Sequence, residues 1–502
     1  MLQIFEQATK QGGKIAIQSN GQSYTYTALI NSSKHLASVL LNQQKDLQQA
    51  RVAFMVHPGF DYVRTLWAIW QAGGVAVPLC LTYPLPSLQY VLEDTGADII
   101  VVSDEYAVIL NDYAKEHQLS FYVLGQLGNA TTILNDLPTI KVDRNALILY
   151  TSGTTNLPKG VVTTHANIEA QISTLIKAWE WNASDHTICV LPLHHVHGII
   201  NVVGCSMWIG ATCTFLESFS AEEIFQIFEK GDINVFMAVP TIYFKLIAYL
   251  ETLDDRKQVQ LKKVMQAFRL MVCGSAALPV SVMEKWGKMS GHTLLERYGM
   301  TELGMAISNP YHGVRKAGYV GIPLPSVEVK LVDEQYHEVE KGMPGEIIVK
   351  GPNVFKEYWQ KPTATQESFT MDGWFKTGDI AVVEEGYYRI MGRSSVDIIK
   401  SGGYKISALE IEEVLRTNES IDDCAVVGIA DDEWGELIVA AIVLKDFAQS
   451  TFDTKVLNDW FVQQMAGYKK PRKYIVLKEL PRNAMGKVVK NEVKKIFNQS
   501  IL

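Results

Sequence analysis

Tyr150-Thr-Ser-Gly-Thr-Thr-Asn-Leu-Pro-Lys-Gly160 (YTSGTTNLPKG) is a loop of small hydroxyl residues and glycine that ends in one lysine, Lys159. The run Ala146–Tyr150 before it is short and apolar, bounded like a buried strand. Val161-Val162 and a Thr163–Asn167 turn follow, leading into a stretch with helical spacing. The expectation is a polar loop held between two regular elements. Free backbone N–H groups, hydroxyls and one ammonium in so short a span can wrap a polyphosphate. The loop is not a Walker A motif, because nothing here matches G-x-x-x-x-G-K-[ST]. Pro158 also removes a donor just before the lysine. Taken alone, a turn of this composition without any ligand explains the stretch equally well.

Outward from the loop, short apolar strands alternate with helical patterns. Before it stand a strand at Arg51–Val56, a helix at Tyr62–Ala72, a strand ending at Pro78, a helix at Leu85–Asp94 and a strand at Asp98–Val102. The pattern returns with strands at Thr187–Leu191, Thr212–Leu216, Val235–Val239, Leu270–Val272 and Thr293–Glu296, and a helix at Gly198–Trp208. This alternation predicts an α/β fold whose parallel sheets are flanked by helices. Residues 320–390 change to short, partly alternating strands, which predicts a small antiparallel β subdomain at about 315–392. The last residues, 393–502, have their own apolar runs at Cys424–Ile429, Leu437–Leu444 and Tyr474–Leu477, and read as a small α+β domain behind a large N-terminal domain of residues 1–392.

Composition narrows the class. Of 502 residues, 47% are apolar, enough for large cores. The formal net charge of −8 argues against a nucleic-acid partner. A local exception is Tyr468–Lys495, with ten Lys/Arg against Glu479 and Glu492, which reads as a solvated basic surface or as a positive lid over a polyphosphate. Six cysteines without C-x-x-C spacing read as reduced core residues and predict a cytoplasmic setting. The N-terminus shows no apolar signal core. Gly198–Leu216, the longest apolar region, is broken by Asn201 and three glycines, so no transmembrane segment is expected.

Four further stretches keep order with the first. Glu296–Glu302 reads ERYGMTE and Gly373–Asp379 reads GWFKTGD. Gly392-Arg393 precedes Asp397-Ile-Ile-Lys-Ser-Gly-Gly-Tyr-Lys405, and Pro481–Lys487 reads PRNAMGK. In this order and at these distances the set resembles the adenylate-forming superfamily of acyl-CoA synthetases, nonribosomal adenylation domains and luciferases, over nearly the whole chain. ERYGMTE, LPLHHVHG (Leu191–Gly198) and VGIPLPSVEVKLV (Val320–Val332) resemble the malonyl-CoA synthetase branch most closely.

The resemblance implies ATP, Mg²⁺ and coenzyme A as cofactor and substrates, and a carboxylic acid activated as an acyl-adenylate. It implies a triphosphate cradle from Thr151, Ser152, Gly153, Thr154, Thr155 and Lys159. The family usually has Gly where this chain has Asn156; Asn is the side chain most at ease in the left-handed region, so the loop shape should survive. Glu302, with Thr155, matches the Mg²⁺-associated position, and a hard cation favours oxygen ligands. Gly274, Ser275, Ala276, Glu296, Tyr298, Gly299 and Thr301 match the nucleotide pocket. Asp379 matches the acceptor of the ribose hydroxyls, backed by Arg393. Lys487 matches the lysine that offsets charge at the α-phosphate and the substrate carboxylate. His195 and Met305 border the acyl pocket, His195 also gating the thiol, while His197 packs structurally. Gly402, Gly403, Tyr404 and Lys405 match the loop lining the pantetheine tunnel. Lys487 and that loop take turns at one site, so the C-terminal domain is implied to be a mobile lid, with Ser395 or Val396 as candidate hinge. Singly, each of these is an ordinary turn or surface residue; the set is specific.

Arg297, just before Tyr-Gly, is the specificity candidate. A guanidinium aimed at the acyl pocket is satisfied by a second carboxylate and left unpaired by a monoacid. This predicts a short dicarboxylate such as malonate or methylmalonate, unless Arg297 instead pairs with Glu296 and the pocket takes a fatty acid. Two further alternatives are an enzyme that loads a carrier protein and a non-catalytic nucleotide-binding protein. A homodimer is left open.

Overall fold

In a computed structural model, residues 2–127, 136–151, 158–402, 404–431, 433–448, 452–483 and 486–499 are described, without the Lys405 side chain. The N-terminal part contains two large mixed sheets. The first has seven strands, in the order Glu357–Tyr358, Lys159–Thr164, Asn145–Thr151, Val75–Pro78, Arg51–Met55, Ile99–Val102 and Ser120–Val123. Its last five strands are parallel, as buried Val/Ile-rich runs with crossover helices demand. The second has nine strands and is parallel at its centre, where His186–Cys189, Val235–Ala238, Leu270–Cys273 and Leu295–Met300 lie side by side. One continuous apolar core joins the two sheets; it includes Trp67, Trp179 and Phe54, all nearly sealed from solvent.

The antiparallel β subdomain is present, with strands Glu328–Val332, Gly345–Lys350, Phe375–Glu384 and Tyr387–Arg393. Beyond it, Ile398–Ser401, Tyr404–Ser407, Ile421–Asp431, Gly435–Leu444 and Lys473–Leu477 form a separate sheet. Helices Ala408–Arg416, Thr454–Gln464 and Lys490–Gln499 enclose its own cores around Phe461 and Phe497. Among the described residues, no helix is long and apolar enough to cross a membrane. All six cysteines are buried and free.

Three local differences from the sequence reading bear on the site. The residues after Lys159 form a strand rather than a turn: Val161, Val162, Thr163 and Thr164 are β-branched and pair between Asn145–Thr151 and Glu357–Tyr358. Thr151 stands opposite Lys159 where Asn145–Thr151 pairs antiparallel with this strand. The helix His165–Trp179 starts only after it, where Thr164 and Asn167 close a reciprocal capping box. The strand Leu295–Met300 runs further than expected, and carries Glu296, Arg297, Tyr298 and Gly299. The helix at 198–208 opens with wide π turns over His197–Gly204 before closing to an α turn.

Candidate active site

Sheet register brings two distant motifs together. Asp379 and Arg393 are cross-strand partners in the β subdomain. Arg393 Nε donates to Asp379 Oδ1 at 3.2 Å, and its NH2 donates to Thr377 O at 3.0 Å. From the nine-stranded sheet, Tyr298 Oη donates to Asp379 Oδ2 at 2.6 Å. Gly299 next to it cannot carry a side chain, because a Cβ would stand 1.9 Å from Gly304 O across the hairpin. Met305, 1% exposed, packs against the same spot and donates its N–H to Gln171 Oε1 at 2.7 Å.

Glu302 is 6% exposed and accepts from Tyr358 Oη at 2.9 Å. Burial pushes its carboxyl up; Arg393 opposes that and Asp379 adds to it, so all three charges share one region. The Lys159 ammonium lies 5.0 Å from the Tyr358 ring centroid. Tyr358 thus links the strand of Lys159 to Glu302. The sequence offered no sign of it, since it occupies a two-residue strand without pattern.

Strand alternation turns Arg297 away from Tyr298. Arg297 is 3% exposed. Its NH2 donates to Ser275 Oγ at 3.2 Å, and that hydroxyl also meets His197 Nδ1 at 3.1 Å. Its Nε and NH1 are buried and, among the described residues, have no hydrogen-bond partner and no carboxylate within 4.0 Å. Burial lowers its pKa to about 10. Ser275 holds φ at 72°, a left-handed conformation uncommon outside glycine. His197 is buried and held neutral, by burial first and by Arg297 next. His195 stands 4.0 Å from the His194 ring, and burial brings its pKa down to about 2.

Lys487 lies within electrostatic reach of both groups. Burial and the positive charge of Arg297 bring its pKa down to about 8; Asp379 raises it and Arg393 lowers it. The small domain therefore docks with this ammonium inside the cleft. Two contacts fix the docking: Val280 N donates to Glu413 Oε2 at 3.2 Å, and Gly486 lies against Thr241 in the first turn of Pro240–Glu251.

Other expected residues lie elsewhere. Glu296 is buried with Oε1 accepting from Leu278 N at 3.3 Å, and burial pushes its carboxyl up to about 8; it stays apart from the Tyr298–Asp379 group and makes no ion pair with Arg297. Ala276 is exposed and Thr301 sits in the turn after the strand. Gly402 and Tyr404 lie on the small domain, Tyr404 being 58% exposed. Ser152, Gly153, Thr154, Thr155 and Gly403 fall outside the described residues, as does the Lys405 side chain.

Comparison with known proteins agrees with this geometry. The AMP-binding enzyme family matches residues 4–359, and the AMP-binding enzyme C-terminal domain matches residues 410–487. The chain is 42% identical to the mitochondrial malonate–CoA ligase of Xenopus laevis, over 98% of this chain and 91% of the relative. The ATP-bound crystal structure of MatB from Rhodopseudomonas palustris superposes with a TM-score of 0.92 at 30% identity over the full length of both chains. The apo form of that protein superposes with a TM-score of 0.81, also at 30% identity. The o-succinylbenzoate CoA synthetase of Bacillus subtilis, solved with ATP and a magnesium ion, gives 0.84 at 26% identity, over 98% of this chain and 99% of that one. The convergence of Lys487, Asp379, Arg393 and Glu302 on one cleft, together with these matches, places the chain in the AMP-binding enzyme family of the adenylate-forming superfamily, beside the malonate–CoA ligases.

Proposed function

We propose that this chain is an ATP-dependent, AMP-forming acid:CoA ligase acting on a short dicarboxylate, malonate or methylmalonate. The observation that carries the dicarboxylate is Arg297: a guanidinium 3% exposed, with Nε and NH1 unpartnered among the described residues and only Ser275 Oγ at NH2. A buried unpaired cation is costly, and the second carboxylate of a diacid supplies the missing acceptors.

The first carboxylate then attacks the α-phosphorus of ATP, and pyrophosphate leaves. Lys487, within electrostatic reach of Arg297 and Asp379, offsets charge building on the reacting oxygens. Asp379, held by Tyr298 and Arg393, offers its oxygens to the ribose. Glu302 fits a Mg²⁺ site, since it is a buried carboxylate and a hard cation favours such oxygen ligands. Mg²⁺ would supply charge neutralisation of the phosphates. The CoA thiol next attacks the acyl carbonyl, and AMP leaves. Because Tyr404 is surface-exposed while Lys487 is docked, the two half-reactions call for two orientations of the small domain. The six buried free thiols support a reducing compartment such as the cytoplasm.

An acid panel with ATP and CoA tests this reading. Malonate should exceed acetate and octanoate in kcat/KM. Arg297→Ala should lower malonate efficiency about ten- to hundredfold, the range of one charge-assisted hydrogen bond, and leave acetate unchanged. Acetate or octanoate outrunning malonate in the wild type would sink it.

A further inference from the structure

The turn that carries Lys487 is gripped at both ends by a chain of alternating acids and bases. Within the turn, Asn483 N donates to Lys487 O at 2.9 Å, and Lys487 N donates to Asn483 Oδ1 at 3.0 Å. At its near end, Arg482 NH1 donates to Gly486 O at 2.5 Å, while its NH2 pairs with Asp423 Oδ2. At its far end, Lys490 opens the helix Lys490–Gln499 and pairs with Asp397 Oδ1 at 2.6 Å and Glu412 Oε1 at 2.7 Å. Arg416 closes the chain, reaching Glu412 at 3.6 Å and Asp423 at 3.5 Å. Asp397 Oδ2 also accepts from Arg393 N at 2.9 Å, and Arg393 in turn holds Asp379. The chain therefore runs from Arg393, beside Asp379, to both sides of Lys487. Local structure does not account for it. A cation in the first turn opposes the helix dipole, and Lys490 is only 9% and Glu412 4% exposed. Buried ion pairs add little stability over apolar side chains of the same size; their best-attested use is to fix registry. Burial works against the Lys490 charge, but Glu412 and Asp397 outweigh it and raise its pKa, so Lys490 stays charged where Lys487 titrates.

We infer that Lys490 and Arg482 are positioning residues for adenylate formation: through Asp397, Glu412 and Asp423 they fix where the Lys487 ammonium stands relative to Asp379. The inference rests on the acid:CoA ligase reading, in which that ammonium acts at the α-phosphate. A preorganised charge acts only in place, and a misplacement of about 1 Å costs about a hundredfold in rate. Thioester formation, which this ammonium does not serve, needs no such mount.

The test compares both half-reactions in the full-length wild type, Lys490→Met, Lys490→Arg, Arg482→Met, Lys487→Ala and the double variant of Lys487→Ala with Lys490→Met. Lys490→Met should lower kcat for malonate-dependent ATP–pyrophosphate exchange about ten- to hundredfold, with KM for ATP and malonate within about twofold of wild type. Lys490→Arg should recover most of that loss. Thioester formation from prepared malonyl-adenylate and CoA should stay near the wild-type rate and report an intact fold. A loosened ammonium is less buried, so the alkaline limb of kcat/KM for ATP should move up from about 8. The groups that face Lys487 from the large domain, Arg297, Asp379, Arg393, His195 and His197, are unchanged in these variants. On the Lys487→Ala background, Lys490→Met should cost nothing further. The Arg482 side chain is 37% exposed, so Arg482→Met leaves no buried charge unpaired and decides the matter should Lys490→Met fail to fold. It should show the same pattern more weakly. Wild-type exchange in both Met variants, equal losses in the two half-reactions, or a further loss in the absence of Lys487 would overturn the positioning role. Exchange at the wild-type rate by Lys487→Ala would instead overturn the underlying reading.

Discussion

The guanidinium of Arg297 lies flat against Gly274: a Cβ on Gly274 would stand 2.7 Å from Arg297 Cζ and 2.8 Å from Nε and NH1. Space, rather than backbone conformation, requires glycine here. In the proposed reading, Gly274 in the small-residue turn at 274–276 is then as much the floor of the acyl subsite as an edge of the nucleotide pocket. Gly274→Ala should displace the guanidinium and raise KM for malonate about tenfold, the scale of one charge-assisted hydrogen bond, while acetate turnover changes little. In an Arg297→Ala background the same substitution should cost much less, because coupled neighbours are not additive. Steady-state kinetics of the four proteins in this cycle check both statements.

The Tyr358–Glu302 bond gives a second prediction. Tyr358→Phe removes the donor at Glu302 Oε1 and leaves the ring under Lys159 in place. A buried acceptor without its donor costs about 1–3 kcal/mol. The carboxylate should be protonated more readily and hold a divalent cation less well. The Mg²⁺ concentration at half-maximal pyrophosphate exchange should rise about five- to tenfold, with KM for malonate unchanged. A magnesium titration of both proteins reads this directly.

Lys487 sets a pH dependence whose sign follows from its surroundings. Its pKa in the docked protein falls from 10.5 to about 8, burial being the main cause and Arg297 the next. Catalysis uses the ammonium, so kcat/KM for ATP, which reports the free enzyme, should fall as pH rises through about 8. Bound triphosphate stabilises the ammonium, so the alkaline limb of kcat should lie higher. The docked cap binds fewer protons than an undocked one between about 8 and 10.5, so docking onto the empty cleft should strengthen as pH rises through that window. Residual activity of Lys487→Arg, whose guanidinium stays charged, should lack the limb.

Much of this architecture is legible in the chain. Buried strands such as Ile99–Val102 and Val235–Ala238 are continuous apolar runs, which only a sheet covered on both faces accommodates. The β subdomain shows itself by a change of period. Arg297 stood out in the sequence because a cation beside Tyr-Gly demands an explanation, while its burial with two unpartnered nitrogens did not show there. The strand from Lys159 was harder to see: four β-branched residues abut a strong helix signal, and pairing with the distant Glu357–Tyr358 favours the strand. Tyr358 and the contact between Gly274 and Arg297 depend on tertiary approach and leave no local trace.

The proposed chemistry needs one ammonium, that of Lys487, delivered by the small domain to a nucleotide held by the large one. Malonate-dependent ATP–pyrophosphate exchange by Lys487→Ala, beside thioester formation by the same variant from chemically prepared malonyl-adenylate and CoA, tests it most directly. Exchange should fall at least about a hundredfold, as for loss of a preorganised charge at the reacting centre, while thioester formation stays within a fewfold of wild type. Exchange at the wild-type rate without that amine would contradict it.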